Sequence, residues 1–336
     1  MEDGFLLEHG GKLRMAAARY NIPLEEWLDL STGINPNGWQ GEMPPASTWL
    51  RLPEDEDGLH EAACNYYGTP ALLPVAGSQA AIQTLPRLRE PCRVAVLTPS
   101  YNEHAYAWQR AGHNVDLITA EQLSTSIDSH DVVVVVNPNN PTGVRFASET
   151  LLHWHEKLTS RGGWLLVDEA FMDATPNESL AQYSNRSGLI LLRSLGKFFG
   201  LAGARVGFVL TEKMLLQQLH EALGPWSVNA PARWVATAAL QDNEWQKKAC
   251  LQHKQDSARL KIVLTDFALV PAGGCALFQW VRTEQAAKIH ALLAQQGVLT
   301  RLFSEPSSLR FGLPGKESKW TKLTAALDSV CMADLI

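Results

Sequence analysis

Lys197 is the residue of this sequence whose surroundings most favour covalent chemistry. It lies in the segment SLGKFFGLAGARVG, which runs from Ser194 to Gly207 between two apolar stretches that predict buried strands. A lysine held in an apolar pocket has a lowered pKa, and its amine can then form a Schiff base with an aldehyde. Ser194 and Arg205 supply a hydroxyl and a guanidinium of the kind that bind phosphate. A lone loop lysine is usually solvated, but these neighbours favour a chemical role for Lys197.

The elements around this segment predict a parallel sheet covered by helices. Residues 132–136 are five consecutive valines, a pattern typical of a strand that is buried on both faces. Strands predicted at 93–97 and 164–168 alternate with amphipathic segments in the rhythm of repeated strand–helix–strand units. The carboxyl ends of parallel strands share one edge of the sheet, which is where ligands bind. We therefore expect an α/β fold whose central sheet is mostly parallel.

The pattern of predicted secondary structure changes near Gly224. Beyond this point helices alternate with short strands, one of which is expected at 298–301. With 336 residues, the chain is long enough for one large and one smaller domain. We expect a large domain at 37–224 and a small α+β domain at 225–336, which the N-terminal segment 1–36 joins.

Four motifs in order resemble the signatures of fold-type I pyridoxal-phosphate enzymes. They are GSQ at 77–79, NPNNPTG at 137–143, DEAF at 168–171 and the segment around Lys197. The resemblance implies that the cofactor is pyridoxal 5'-phosphate and that the lysine holds it. The cofactor-binding residues that it implies are Gly77, Ser78, Gln79, Tyr101, Asn140, Asp168, Ser194, Lys197 and Arg205. The catalytic residues that it implies are Lys197, Asp168 and Tyr101.

The implied roles differ in their chemistry. Asp168, at the end of a predicted strand, would pair with the pyridine nitrogen and keep it protonated, which makes the ring a better electron acceptor. Tyr101 would stack on the ring, and Asn140 would present its amide to the ring hydroxyl. Each motif also has a structural alternative: a capped helix at 77–79, a loop aromatic at Tyr101 and an Asn-Pro turn at Asn140. Phe171 stands where many related aminotransferases have a tyrosine, so that hydroxyl is missing.

Two N-terminal motifs narrow the resemblance. HGG at 9–11, followed by LDLSTGINP at 28–36, is similar to the start of the threonine-phosphate decarboxylases of cobalamin synthesis. This implies decarboxylation of L-threonine O-3-phosphate to (R)-1-aminopropan-2-yl phosphate. Arg310 would bind the substrate carboxylate, although for an arginine a surface position is the alternative. The implied substrate-binding residues are His9, Gly33, Asn140, Arg301 and Arg310.

Two other functions fit the cofactor motifs. A transaminase of phosphorylated amino acids, similar to histidinol-phosphate aminotransferase, would share every cofactor residue and differ in the substrate bond that is broken. In such enzymes a tyrosine that reaches the neighbouring subunit often stands where this chain has Leu52. A regulator that binds the cofactor without turnover usually carries an N-terminal DNA-binding domain, whereas the motifs here begin at His9.

Composition argues against several classes of protein. The hydrophobic content of 46% predicts a large core, and the net charge of -6 disfavours nucleic acid and anionic membranes as partners. The five cysteines are scattered and lack the spacing of a metal site, so we expect reduced thiols and no metal. The sequence shows neither a signal-peptide pattern nor an apolar run of membrane-spanning length. We therefore expect a cytoplasmic homodimer whose partner is a small phosphorylated amino acid.

Overall fold

The structure is a computed structural model that describes residues 9–332. Its α-helices are α1 (Leu13–Tyr20), α2 (Leu59–Tyr67), α3 (Ser78–Thr84), α4 (Glu103–Arg110), α5 (Ala120–Ser126), α6 (Ser148–Thr159), α7 (Lys213–Leu223), α8 (Ala230–Gln241), α9 (Asn243–Asp266), α10 (Ala286–Gln295) and α11 (Glu317–Cys331). Its β-strands are β1 (Leu28–Asp29), β2 (Leu72–Val75), β3 (Arg93–Leu97), β4 (Asn114–Ile118), β5 (Val132–Val136), β6 (Trp164–Asp168), β7 (Leu189–Ser194), β8 (Gly207–Leu210), β9 (Gly273–Cys275), β10 (Phe278–Arg282), β11 (Val298–Leu299), β12 (Arg301–Phe303) and β13 (Ser308–Gly312). Among the described residues, no helix is long and apolar enough to span a membrane.

The central sheet has seven strands in the order β2-β8-β7-β6-β5-β3-β4. Strands β3 to β7 pair in parallel, and β8 runs antiparallel to its neighbours β7 and β2. The valines of β5 alternate between two buried cores: Val133 and Val135 pack in one, and Val132 and Val134 in the other. Both faces of the sheet are therefore covered, which confirms the α/β fold with a mostly parallel sheet.

The carboxyl ends of β3, β5, β6 and β7 carry most of the candidate cofactor residues. Asp168 is the last residue of β6 and Ser194 the last of β7, while Tyr101 and Asn140 lie on the loops after β3 and β5. Because these strands are parallel, their carboxyl ends meet at the same edge of the sheet. The sheet therefore brings together motifs that are far apart in sequence.

Two smaller sheets are built from the N-terminal and C-terminal parts of the chain. One is antiparallel with the order β12-β13-β10-β9, and in the other β1 pairs in parallel with β11. The prediction of a single strand at 298–301 is wrong, because Thr300 separates β11 from β12 and these two strands belong to different sheets. Thr300 is buried, and its hydroxyl bonds to Nδ1 of His290 at 2.8 Å on α10, so this residue turns from one sheet to the other.

The described chain divides into two compact units. The large unit comprises Gly38–Asn140 and Val144–Cys250, and the small unit comprises the described residues up to Asn37, Pro141–Gly143 and those from Leu251 on. The division falls within α9, whereas the sequence indicated a boundary near Gly224. Strands do give way to helices there, but α8 packs on α2 and contributes buried side chains to the core of the large unit.

Candidate functional site

Lys197 lies on the loop between β7 and β8 in the large unit. The loop is anchored by Phe198 and Phe199, whose side chains are fully buried. Lys197 itself is half-buried, and its Nζ lies 5.3 Å from the centre of the Phe171 ring. The DEAF phenylalanine therefore faces the amine with an apolar ring, where a tyrosine would have added a hydroxyl.

A cradle for an anion forms beside the paired strands β7 and β8. Ser194 pairs with Gly207 across these strands. A Cβ on Gly207 would lie 2.6 Å from the backbone nitrogen of Ser78, so only glycine allows the start of α3 to approach so closely. A Cβ on Gly77 would lie 2.6 Å from Nη2 of Arg205. The hydroxyl of Ser194, the guanidinium of Arg205 and the Gly77–Ser78 backbone are thus neighbours, as a phosphate site requires.

Asp168 is held from two sides. Its Oδ1 accepts a hydrogen bond from the backbone of Ala170 at 3.0 Å, and its Oδ2 lies 2.9 Å from Nε2 of His104 on α4. Both the carboxylate and the imidazole are buried. Sequence reasoning missed His104, although its position three residues after Tyr101, on the first turn of a helix, could have suggested that it faces the same strand ends.

Tyr101 is oriented by two polar side chains. Its hydroxyl donates to Oε1 of Gln79 at 3.2 Å, and Nε2 of Gln79 donates to Oε2 of Glu103 at 2.7 Å. The side chain of Gln79 is thus engaged with these two residues, so a contact of Gln79 with an anion falls to its backbone N–H. Burial raises the pKa of Tyr101 well above its usual value, and the charge of Glu103 adds to this effect. The ring therefore stays neutral at physiological pH.

The asparagines of the NPNNPTG motif differ in their burial. Asn137 exchanges hydrogen bonds with the backbone of Phe146, and Asn139 donates to the backbone oxygen of Pro99 at 2.8 Å. Ser100 also donates to Oδ1 of Asn139 at 2.7 Å, which ties the loop after β3 to the loop after β5. Asn137 and Asn139 are buried, whereas Asn140 is only half-buried. Asn140 is thus the member of this motif best able to reach a ligand.

A buried ion cluster fixes the ends of β6 and β7. Nη1 of Arg193 donates to Oε2 of Glu169 at 2.6 Å, and Nη2 donates to Oδ1 of Asp173 at 2.5 Å. Tyr66 donates to the same Asp173 oxygen, and the Arg193 guanidinium lies 4.7 Å from the Tyr67 ring centre. Glu169 follows Asp168 in the chain, and Arg193 precedes Ser194. The cluster was not foreseen from sequence, since nothing in the apolar run of β7 marks its arginine as paired.

In the small unit, the two candidate substrate arginines are neighbours. Arg301 of β12 and Arg310 of β13 are direct cross-strand partners. Arg310 is buried, donates from Nη2 to the backbone oxygen of Ser31 at 2.5 Å and lies 5.2 Å from the Phe278 ring centre. Burial, and then the charge of Arg301, lowers the pKa of Arg310 to about 10. Two adjacent guanidinium groups on one face favour a ligand with negative charge.

A cavity of about 370 Å³ in the small unit adds further positive charge. Its lining contains five basic side chains: His9, Lys12, Arg19, His290 and Arg301. Sequence reasoning named His9 and Arg301 but not the other three, of which Lys12 lies three residues after His9 in the chain. Gly33 is buried and has a φ of 61°, a backbone conformation that favours glycine.

The candidate residues are distributed over both units. All the cofactor candidates lie in the large unit, and His9, Gly33, Arg301 and Arg310 lie in the small unit. Within the large unit, a lysine amine, a buried carboxylate, a neutral aromatic ring and an anion cradle stand at the edge formed by the strand ends. These groups fit pyridoxal phosphate, whose aldehyde, ring nitrogen, ring face and phosphate each require one of them.

Comparison with known proteins identifies the family. The sequence model of the family "Aminotransferase class I and II" matches residues 48–328. The chain belongs to this family.

Among its relatives, the threonine-phosphate decarboxylase of Pseudomonas aeruginosa is 56% identical over 96% of this chain and 97% of its own length. The threonine-phosphate decarboxylase of a Sinorhizobium species is 40% identical over 95% of this chain and 97% of its own length. A solved structure of histidinol-phosphate aminotransferase from Sinorhizobium meliloti, in complex with pyridoxal-5'-phosphate, has the same fold. It matches with a TM-score of 0.81 and 20% identity, over 98% of this chain and 96% of that one.

Proposed function

We propose that this chain is a pyridoxal-phosphate-dependent carboxy-lyase that converts L-threonine O-3-phosphate to (R)-1-aminopropan-2-yl phosphate and carbon dioxide. The product is the aminopropanol linker used in cobalamin biosynthesis. Support comes from the full-length relatives, which are threonine-phosphate decarboxylases, and from one structural observation. The cross-strand pair of Arg301 and Arg310 supplies two guanidinium groups, which match the phosphate and the carboxylate of such a substrate.

The large unit would bind the cofactor through the residues at its strand ends. When bound, pyridoxal phosphate supplies an aldehyde that condenses with amines and a ring that accepts the electron pair left after bond cleavage. Ser194, Arg205 and the Gly77–Ser78 backbone would hold the phosphate, Tyr101 would cover the ring, and Asn140 would contact its hydroxyl. The charge of Asp168 would favour a proton on the ring nitrogen.

Lys197 has two tasks in this proposal. It anchors the cofactor before substrate arrives, and afterwards it carries the proton that returns to the substrate Cα once carbon dioxide has left. The ring of Phe171 lies beside this amine, 5.3 Å from Nζ to the ring centre. A half-buried lysine on a loop held by buried aromatics can fulfil both tasks without a large movement.

The small unit would recognise the two anionic ends of the substrate. We propose that Arg310 binds the carboxylate and that His9 and Arg301 bind the phosphate, with Gly33 as a further contact in this unit. Arg310 is buried and partly deprived of solvation, so a carboxylate partner would restore much of its lost electrostatic stabilisation. The cavity beside Arg301, with Lys12 and Arg19 in its lining, is positively charged, as a phosphate requires.

The test of the reaction is carbon dioxide release from threonine phosphate with no 2-oxo acid present. We expect steady release over many turnovers, because decarboxylation regenerates the starting cofactor in every cycle. A transaminase of a phosphorylated amino acid would stop after one turnover and resume when 2-oxoglutarate is added. That outcome would replace the proposed reaction, although the Pseudomonas and Sinorhizobium decarboxylases match nearly the full chain at 56% and 40% identity.

We further propose that the enzyme is a cytoplasmic homodimer. Trp49, Leu50 and Leu52 expose 70%, 83% and 62% of their surface on one short segment of the large unit, an apolar run that a second copy of the chain could cover. None of the five cysteines forms a disulfide, which is consistent with a reducing compartment. Light scattering on the purified protein should give twice the chain mass, and Leu50→Asp should shift it towards the monomer.

A further inference from the structure

Ser31 connects the two N-terminal motifs to Arg310. Its hydroxyl oxygen accepts a hydrogen bond from the backbone nitrogen of Gly11 at 2.8 Å, and its backbone oxygen accepts one from Nη2 of Arg310 at 2.5 Å. We propose that Ser31 is a positioning residue, which sets the distance between the group that binds the substrate carboxylate and the segment that carries His9. The inference rests on the proposed function, because it assigns these two groups to the two ends of threonine phosphate.

The hydroxyl of Ser31 is itself held in place. It donates to Oδ1 of Asp29 at 2.6 Å, and the backbone nitrogen of Ser31 donates to the same oxygen at 2.8 Å. Ser31 is only 2% exposed. With its proton committed to Asp29, the hydroxyl presents its lone pairs to Gly11, so the side chain acts as a fixed acceptor rather than a rotating one.

The glycines that follow His9 fit closely against this residue. A Cβ on Gly10 would lie 2.4 Å from the backbone oxygen of Ser31, so no other amino acid can occupy that position without moving the chain. Gly11 has a φ of 81°, which also favours glycine. The HGG motif thus packs against Ser31. The hydrogen bond from Gly11 fixes the backbone two residues after His9.

The backbone next to Ser31 is hydrogen-bonded to two strands. Leu30 donates from its nitrogen to Leu299 of β11 and accepts at its oxygen from Gly312 of β13, both at 2.8 Å. Through its neighbour Leu30, Ser31 is therefore attached to β13, the strand that contains Arg310, and to β11, the strand that precedes Arg301. The carbonyl of Ser31 holds the guanidinium of Arg310, and its hydroxyl holds the backbone of Gly11 near His9. Removing the hydroxyl should loosen only the His9 side.

The experiment compares Ser31→Ala with Ser308→Ala. Ser308 is also buried and lies on the same strand as Arg310, but its hydroxyl bonds only locally, to the backbone oxygen of Pro306 at 2.7 Å. Loss of one hydrogen bond of about 1.4 kcal/mol corresponds to a factor of about ten, so Ser31→Ala should raise KM for threonine phosphate about tenfold and leave kcat within about threefold. Ser308→Ala should leave KM unchanged.

Two further measurements separate positioning from general destabilisation. Ser31→Ala should speed hydrogen exchange at the Gly11 amide about tenfold, since that amide loses its acceptor. In a His9→Ala background, Ser31→Ala should change KM by less than about twofold, because the two residues act at the same end of the substrate. Equal effects of Ser31→Ala in both backgrounds, an unchanged Gly11 exchange rate, or the same KM increase in Ser308→Ala would each overturn the proposal.

Binding of inorganic phosphate, measured by calorimetry, keeps this test independent of the reaction. Ser31→Ala should weaken phosphate binding about tenfold, whereas Ser308→Ala should not. If the wild type released no carbon dioxide, the proposed function would fail, while the exchange and phosphate data would still decide the role of Ser31. If the wild type is active but phosphate binding and exchange are unaffected by Ser31→Ala, the positioning role alone fails.

Discussion

Arg301 and Arg310 oppose each other across β12 and β13, so that two guanidinium groups share one face of a small antiparallel sheet. Cross-strand partners have Cβ atoms only about 5 Å apart, and like charges at that separation repel each other. The lowered pKa of Arg310, due to burial first and then to Arg301, reflects this arrangement. A ligand with two negative ends would relieve the repulsion.

Substitution of the two arginines should therefore have different effects: Arg301 should set the preference between substrates, and Arg310 the rate with both. Wild type should prefer threonine phosphate over threonine by a factor on the order of 10⁴ in kcat/KM, because unpaired binding groups penalise an analogue without phosphate. Arg301→Gln should reduce this preference by at least about tenfold. Arg310→Gln should lower kcat/KM for both substrates by about 10³ and leave the preference intact, since both carry the carboxylate. Steady-state kinetics with the two substrates measures this.

The opposite pattern would exchange the two assignments: Arg310→Gln would then abolish the preference, and Arg301→Gln would weaken both substrates. Arg282, an exposed arginine at the end of the neighbouring β10, provides a matched control. Arg282→Gln should leave the kinetics of both substrates unchanged.

Lys197→Ala should remove the visible absorbance of the purified enzyme and abolish turnover. The reason is that the lysine is the half-buried amine beside the cradle of Ser194 and Arg205, and no other group named at this edge can bind an aldehyde covalently. Lys213→Ala, at an exposed position on α7, should keep the spectrum. An unchanged spectrum in Lys197→Ala would exclude its role as anchor.

The strands of the central sheet, and the residues at which they end, could be predicted from the sequence alone. The buried strands β5, β6 and β7 are nearly uniform apolar runs, and each ends at a motif whose prolines or polar residues stop it. The placement of Asp168 at the end of β6 and of Lys197 just after β7 was predictable for this reason. Their positions follow from the local pattern together with the rule that parallel strands end at one edge.

Other features depend on contacts between residues distant in sequence, which no local pattern reports. The hydrogen bonds between His104 and Asp168, and from Arg310 to the backbone oxygen of Ser31, join residues far apart in the chain. The extent of the large unit was also missed, because α8 packs on α2 although strands have already given way to helices. The periodicity of the sequence predicts secondary structure, but it does not predict which distant residues pack together.

Replacement of Arg193 should destabilise the large unit strongly. Arg193→Met would leave the carboxylates of Glu169 and Asp173 buried without their cation, a loss of about 3–5 kcal/mol in the free energy of unfolding. Arg145→Met, which breaks the more exposed pair with Glu178, should cost less than about 1 kcal/mol. Urea denaturation of both variants measures the difference, and similar midpoints would argue against a structural role for the cluster.

Acid should destabilise the enzyme through His253. Burial lowers the pKa of this histidine from 6.5 to about 4, so between these pH values the unfolded chain binds a proton that the folded chain does not. Its contribution is fully present above about pH 6.5 and is lost as the pH falls to about 4, a total of about 3 kcal/mol. His253→Leu should flatten the dependence of unfolding free energy on pH in this window. An unaltered slope would show that other groups cause it.

The bond between His104 and Asp168 leads to the last prediction. Asp168→Asn should retain the cofactor but lose at least about a hundredfold in kcat, because an amide fills the same space without the charge that keeps a proton on the ring nitrogen. His104→Leu should act more weakly, about tenfold in kcat, since Oδ2 of Asp168 would lose its partner but keep its charge.

The spectrum of the bound cofactor distinguishes these two effects from loss of binding. Both variants should contain stoichiometric cofactor, but only Asp168→Asn should shift the absorbance maximum strongly, since only this substitution removes the negative charge. His104→Asn, whose amide can still donate to Asp168, should recover part of the rate lost in His104→Leu. If His104→Leu were as slow as Asp168→Asn, and His104→Asn recovered nothing, the histidine would have to act on the reacting atoms rather than through the position of the carboxylate.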